Sequence, residues 1–152
     1  MSGSKNRIRL LMGIGNELNG DDGVGCYVAR MLDSPDWVTI DCATAPENFS
    51  GQVKRHNPFE VVVVDAALMG LSPGSLRRID HQRIQEIGFS THTMSLAHFV
   101  TYISEECSQV YLVGIEPHDT TIGSPLSEVV KQSAEELMAI LLHSKITEIP
   151  SI

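Results

Sequence analysis

Basic residues are scarce in this chain of 152: eleven Lys and Arg stand against nineteen Asp and Glu, for a formal charge of −8. Affinity for a nucleic-acid backbone comes from clustered cations, so a nucleic-acid partner is disfavoured, and the pair Arg77-Arg78 reads as a solvated strand face. Cysteine is equally sparse. Cys26, Cys42 and Cys107 are odd in number and scattered, with no CxxC, which argues against a disulfide framework and a zinc cage and for reduced, packed thiols. No stretch approaches the ~18 continuous apolar residues of a membrane span. The opening MSGSKNR has no apolar signal core, so a cytoplasmic protein without a membrane partner is expected. Repeats, low-complexity tracts and linkers are missing too. What remains is ordinary globular composition, 42% apolar and 20% charged, in a chain long enough to bury one core.

Short β-rich runs alternate with helical patterns. Arg7–Met12, Trp37–Cys42, Glu60–Ala66 and Val110–Ile115 read as strands, and EVVVVDA holds a continuous apolar run, as expected of a central parallel strand covered on both faces. Val24–Leu32 and Ser95–Cys107 read as helices. Leu126–Leu142 is another, with Leu126, Val129, Val130, Ser133, Leu137, Ile140 and Leu141 on one face. PENFSGQVKRH suggests a shorter helix, Pro73-Gly74 a turn, and SLRRID an edge strand. The sum is a single domain over 1–152: a three-layer, doubly wound α/β fold. Its five-stranded sheet is mostly parallel, with one antiparallel edge strand and helices on both faces.

In such folds ligands bind beyond the carboxyl ends of the strands, where strand order reverses. The loop there is GIGNELNGDDGVG, Gly13 to Gly25. It lacks the GxGxxG spacing of a dinucleotide site, Asp41 is a poor match for a ribose-binding acid, and Asp21 and Asp22 would repel a pyrophosphate. The glycines suit a tight turn. The acids can cap the following helix, and Asp21 is the better candidate for that task. Asp65, at the end of the central strand, is expected beside Asp22. Two carboxylates this close raise each other's pKa unless a proton or cation lies between them. His56, His81 and His143 read as exposed and His98 as a partly buried helix residue, whereas His92 in FSTHTMSL lies in a loop just ahead of a helix. Asp, Asp and His form a donor set for nickel, zinc, manganese or iron, with positions left open for water or substrate. Ser72, Ser90 and Ser95 stand near the same edge without a GxSxG elbow, and Cys26 falls inside a helix, so covalent catalysis has little support.

Four segments, GIGNELNGDDGVG, VVVVDAALMGLSPGSLRRID, STHTMSL and VYLVGIEP, occur in an order that resembles the hydrogenase maturation proteases over about Ile8 to Leu142. The APEN, ALMGLSPG and THTMSL stretches are most similar to the branch that serves formate-hydrogenlyase-type enzymes. The resemblance implies an endopeptidase, with aspartic-type and metal-assisted mechanisms both open. Its substrate would be the large-subunit precursor of a nickel–iron hydrogenase, trimmed at its C-terminal extension once nickel has been inserted. It also implies a metal and catalytic site of Asp22, Asp65 and His92 that engages the substrate's nickel, with other divalent metals able to occupy it. Asn16, Gly15 and the loop's N–H groups would bind the polypeptide or stabilise the oxyanion, and Glu116, where many relatives have Gln, would add charge near the substrate if it points into the site. A non-catalytic nickel-sensing chaperone of the same precursor is the alternative. A phosphohydrolase is disfavoured because no basic residue stands ready for phosphate. A monomer is expected, since no long exposed apolar stripe is apparent.

Overall fold

The computed structural model describes residues 8–152. β1 (Arg9–Gly13) leads through a 3-10 turn at Gly20–Gly23 into α1 (Val24–Met31). β2 (Trp37–Asp41) is followed by a 3-10 turn at Pro46–Phe49 and then α2 (Ser50–His56). Next come β3 (Glu60–Leu68), β4 (Leu76–Arg78), the 3-10 segment His81–Glu86 and β5 (Gly88–Phe89). The chain ends with α3 (Thr93–Glu106), β6 (Gln109–Ile115), α4 (Glu128–Leu142) and a last 3-10 turn at Ile146–Glu148. The expected strand start at Arg7 lies outside the described residues.

Strand order is β2-β1-β3-β6-β4; the first four strands are parallel and β4 runs antiparallel to β6 at the edge. That is the expected sheet, with one addition. β3 extends two residues past Ala66, and β5 folds back antiparallel on that extension through Ala67↔Phe89 and Leu68↔Gly88. Two residues carry no readable periodicity, so this sixth strand leaves no mark in the sequence pattern. At the far edge the C-terminal residues cover β4: Arg78 N–H donates to the Pro150 carbonyl and Ile152 N–H to the Arg78 carbonyl.

Alternation along the strands builds two cores. Leu10, Met12, Val61 and Val63 face α3, where Leu96, Phe99, Val100 and Ile103 meet them. Leu11, Val62 and Val64 face the other way, onto Val24 and Val28 of α1 and Val130, Ala134, Leu137 and Leu141 of α4. Val61 to Val64 are all fully buried. At roughly 1.5–3 kcal/mol each, their burial outweighs a desolvation cost of several kcal/mol for the carboxylate that follows them. The face of α4 is rotated from the expected one. Val129 is 38% exposed, and Ser127 is the N-cap of a helix that starts two residues after Leu126. No helix among the described residues is long and apolar enough to cross a membrane.

Two contacts set where the β1–α1 loop lies. A Cβ on Gly25 would overlap the carbonyl oxygens of Ile14 and Val64, so only glycine lets α1 start against β1 and β3. The second contact is Asp21, which is fully buried. It does not cap α1, whose N-terminus has no side-chain cap. Its Oδ2 instead accepts the N–H groups of His118 and Asp119 (both 2.9 Å) and the Ser127 hydroxyl (2.8 Å), and its Oδ1 accepts Ser127 N–H (2.7 Å). One carboxylate thus ties the β6–α4 loop to the first loop.

Gly25→Ala is expected to cost about 3 kcal/mol, because backbone lies on both sides of the new methyl group. Urea unfolding should show a lower midpoint at unchanged slope. Asp21→Ala strands four donors in a closed space and should also lose about 3 kcal/mol. Asp21→Asn, which keeps one accepting oxygen, should fall between it and the parent in the same measurement.

Candidate functional site

β1 has β2 on one side and β3 on the other, so the strand order reverses there, and the carboxyl ends of β1 and β3 form the edge at which folds of this kind bind ligands. The β1–β3 pairing ends at Gly13↔Val64. β1 then turns away into the glycine loop while β3 continues beside β6, with Asp65 opposite Gly114. Asp65 is therefore the first residue of β3 left uncovered by β1, three residues before the strand ends at Leu68. It shares the sheet face of Val61 and Val63, the face that carries α3.

Asp65 is fully buried and held at both oxygens. Oδ1 accepts Ala66 N–H at 2.8 Å and a short hydrogen bond from the Ser90 hydroxyl, and Oδ2 accepts Ser90 N–H at 3.1 Å. Burial pushes its pKa well above the usual carboxylate range, against the opposing pull of the Ser90 and Ala66 bonds, and the Asp22 charge pushes it further. Asp22 is half-buried, and no side-chain hydrogen bond or ion pair engages its carboxylate among the described residues. Burial raises its pKa, and the adjacent Asp21 charge adds to the rise. The structure thus brings Asp22 and Asp65 within electrostatic reach of each other. The two carboxylates differ in kind: one is fixed and dry, the other reachable and uncommitted.

His92 is the N-cap residue of α3, which starts at Thr93, two residues earlier than expected. Its side chain is exposed and lines an open pocket of about 380 Å³ with Gln85, Thr93 and Met94. Among the described residues no three His, Cys, Asp or Glu side chains are gathered closely enough to hold a metal ion. The loop carrying His92 is nevertheless tied to the acid pair, since Ser90 grips Asp65 and the Thr91 hydroxyl donates to the Thr44 carbonyl at 2.7 Å.

Gly15 and Asn16 lie on the other flank. They line a second open pocket of about 380 Å³ together with Glu17, Leu18, Cys26, Asp41, Ala43 and Thr44. The loop's N–H groups are engaged within the chain, some inside the loop and some outside it. Gly15 donates to the Ala43 carbonyl, Asn16 to the Asp22 carbonyl and Leu18 to the Asn16 side chain. A Cβ on Gly15 would overlap the Asp22 carbonyl, which makes glycine necessary there. Glu116 is buried, and its Oε1 accepts Met69 N–H at 2.8 Å and Leu71 N–H at 3.2 Å, so the structure places it beneath the loop that follows β3. A Gln amide oxygen could accept the same two bonds.

Sequence reasoning missed the part Ser90 plays, because its partner lies 25 residues away across a turn that periodicity does not reveal. The only available signal was its position two residues before His92. His98, expected to be partly buried, is exposed beside Glu47, Ser95 and Tyr102, on the outer side of α3.

A family model described as hydrogenase maturation protease matches residues 25–144, a span that begins just after the loop bearing Asp22. The chain is 33% identical over 130 residues to the hydrogenase 3 maturation protease of Escherichia coli K12, covering 83% of each chain. It is 32% identical over 146 residues to a putative hydrogenase maturation protease of Methanocaldococcus jannaschii, covering 88% of this chain and 86% of that one. Its fold superposes on a crystal structure of the hydrogenase 3 maturation protease with a TM-score of 0.80 at 30% identity, covering 88% of each chain. A [NiFe] hydrogenase maturation protease from Thermococcus kodakarensis KOD1 gives 0.79 at 30% identity, over 93% of this chain and 94% of that one. The parallel sheet, the acid at its switch point and these likenesses lead to one assignment: the chain belongs to the hydrogenase maturation proteases, endopeptidases of hydrogenase assembly.

Proposed function

We propose that this protein removes the C-terminal extension of a nickel–iron hydrogenase large-subunit precursor after nickel insertion, acting as a cytoplasmic monomer. The observation that carries this reading is the pair Asp22 and Asp65 at the switch point, one carboxylate free and one buried, in a chain of this family. Nickel arrives as part of the substrate. Two carboxylates and an imidazole suit a divalent ion of that kind, and in this reading Asp22, Asp65 and His92 engage it beside the scissile bond. Burial, and after it neighbouring negative charge, raises both pKa values, and a cation placed between the acids offsets both effects.

Hydrolysis needs a water aimed at the peptide carbonyl and a group to take its proton. Asp22 fits the second role, because its carboxylate is reachable and has no competing partner. Asp65, dry and held, is suited to fixing geometry. His92 sits on an open pocket from which it can meet an incoming chain. With the N–H groups of Gly15 and Asn16 and the Asn16 side-chain oxygen engaged internally, the Asn16 side-chain NH2 is the group left to meet a polypeptide. Glu116 adds its charge from beneath the neighbouring loop.

Incubation with nickel-loaded and nickel-free precursor should shorten only the loaded form, read by mass spectrometry of its C-terminus. Asp22→Ala, Asp65→Ala and His92→Ala should each slow that cleavage by at least roughly tenfold. Binding of the loaded precursor without cleavage would identify a nickel-sensing chaperone instead, and undiminished processing by all three variants would refute the site.

A further inference from the structure

We infer that Ser90 is a positioning residue for this reaction, orienting the Asp65 carboxylate and fixing the start of the His92 loop through the same two hydrogen bonds. The inference rests on the reading of Asp65 given above. Ser90 is the residue that reaches both oxygens of Asp65, through its hydroxyl to Oδ1 and its N–H to Oδ2. Oδ1 also takes Ala66 N–H, so its accepting capacity is filled from within the chain. Among the described residues Oδ2 takes only Ser90 N–H, which leaves lone-pair capacity on that oxygen for something that comes from outside. The arrangement therefore selects which oxygen of a buried carboxylate faces the reaction.

The same residue is also a joint in the chain. Immediately before it, Phe89 pairs with Ala67 of β3; immediately after it, Thr91 and His92 lead into α3. The Thr91 hydroxyl is anchored on Thr44 and the His92 carbonyl accepts Leu96 N–H at 2.9 Å, so the short arc from Ser90 to His92 is fastened at both ends. Asp65 is thereby joined to the His92 backbone through Ser90 and Thr91. Outer partners of this kind typically change metal affinity or activity 10–100-fold when removed.

The test is single-turnover processing of nickel-loaded precursor by Ser90→Ala and Ser90→Thr, with thermal unfolding of each variant as a control. Ser90→Ala should lower the rate at saturating precursor by about 10–100-fold. The precursor concentration for half-saturation should move by less than about threefold, because docking surfaces away from Asp65 are untouched. Ser90→Thr keeps the hydroxyl and should retain a rate within about threefold of the parent. Should Ser90→Ala fail to fold, Ser90→Cys, close in size and a weaker donor, should give an intermediate rate. A Ser90→Ala rate within twofold of the parent, or a Ser90→Thr rate as low as that of Ser90→Ala, would overturn the inference. Asp65→Ala run alongside separates the causes: if it is inactive while Ser90→Ala is normal, only the role of Ser90 fails, and if both are normal the reading of the site fails.

Discussion

A carboxylate shut away from water is costly, and among the described residues the carboxyl edge of this sheet holds three: Asp21, Asp65 and Glu116. Each is answered in the same way, by N–H donors from a neighbouring loop. Asp21 gathers the β6–α4 loop, Glu116 the loop after β3, and Asp65 the turn between β5 and α3. The acids are thus the posts on which the functional edge is strung. Buried acceptors bond only where donors meet them, so each of these loops is held by a contact distant in sequence as well as by its own turns.

Such an edge accumulates negative charge, and that charge gives the site its character. Burial and the neighbouring acids raise the pKa values of Asp65 and Asp22, and of these two it is the Asp22 carboxylate that has no partner among the described residues. An uncommitted carboxylate beside buried ones is relieved by a proton or by a cation. In the proposed reaction the substrate's nickel is that cation, and the switch point is where it would meet the acids.

Much of this could be read from the letters. The apolar run of β3, the alternation of strands and helices, and the position of DDG after the first strand together indicate the sheet and the edge where chemistry belongs. The division of labour within DDG could not be read. Asp21 and Asp22 are the same residue type one position apart, and only the 3-10 turn at Gly20–Gly23 turns one inward to Ser127 and leaves the other at the switch point. The partnership of Ser90 with Asp65 was hidden for a related reason: it depends on β5, a two-residue strand whose pairing is set by tertiary contact. Glu116 reads equally well as a charged substrate contact or a buried loop anchor, and only its hydrogen bonds tell where it is placed. Pattern locates a site more readily than it assigns tasks within one.

The central claim is that Asp22, Asp65 and His92 engage a single divalent ion. Crystals of the protein grown with nickel(II), measured on both sides of the nickel absorption edge, test it directly. The account predicts one anomalous peak at coordination distance from a carboxylate oxygen of Asp22, the Oδ2 of Asp65 and a ring nitrogen of His92, with the His92 side chain turned in from its open pocket. A well-occupied nickel peak elsewhere on the chain, with these three side chains unchanged, would contradict it.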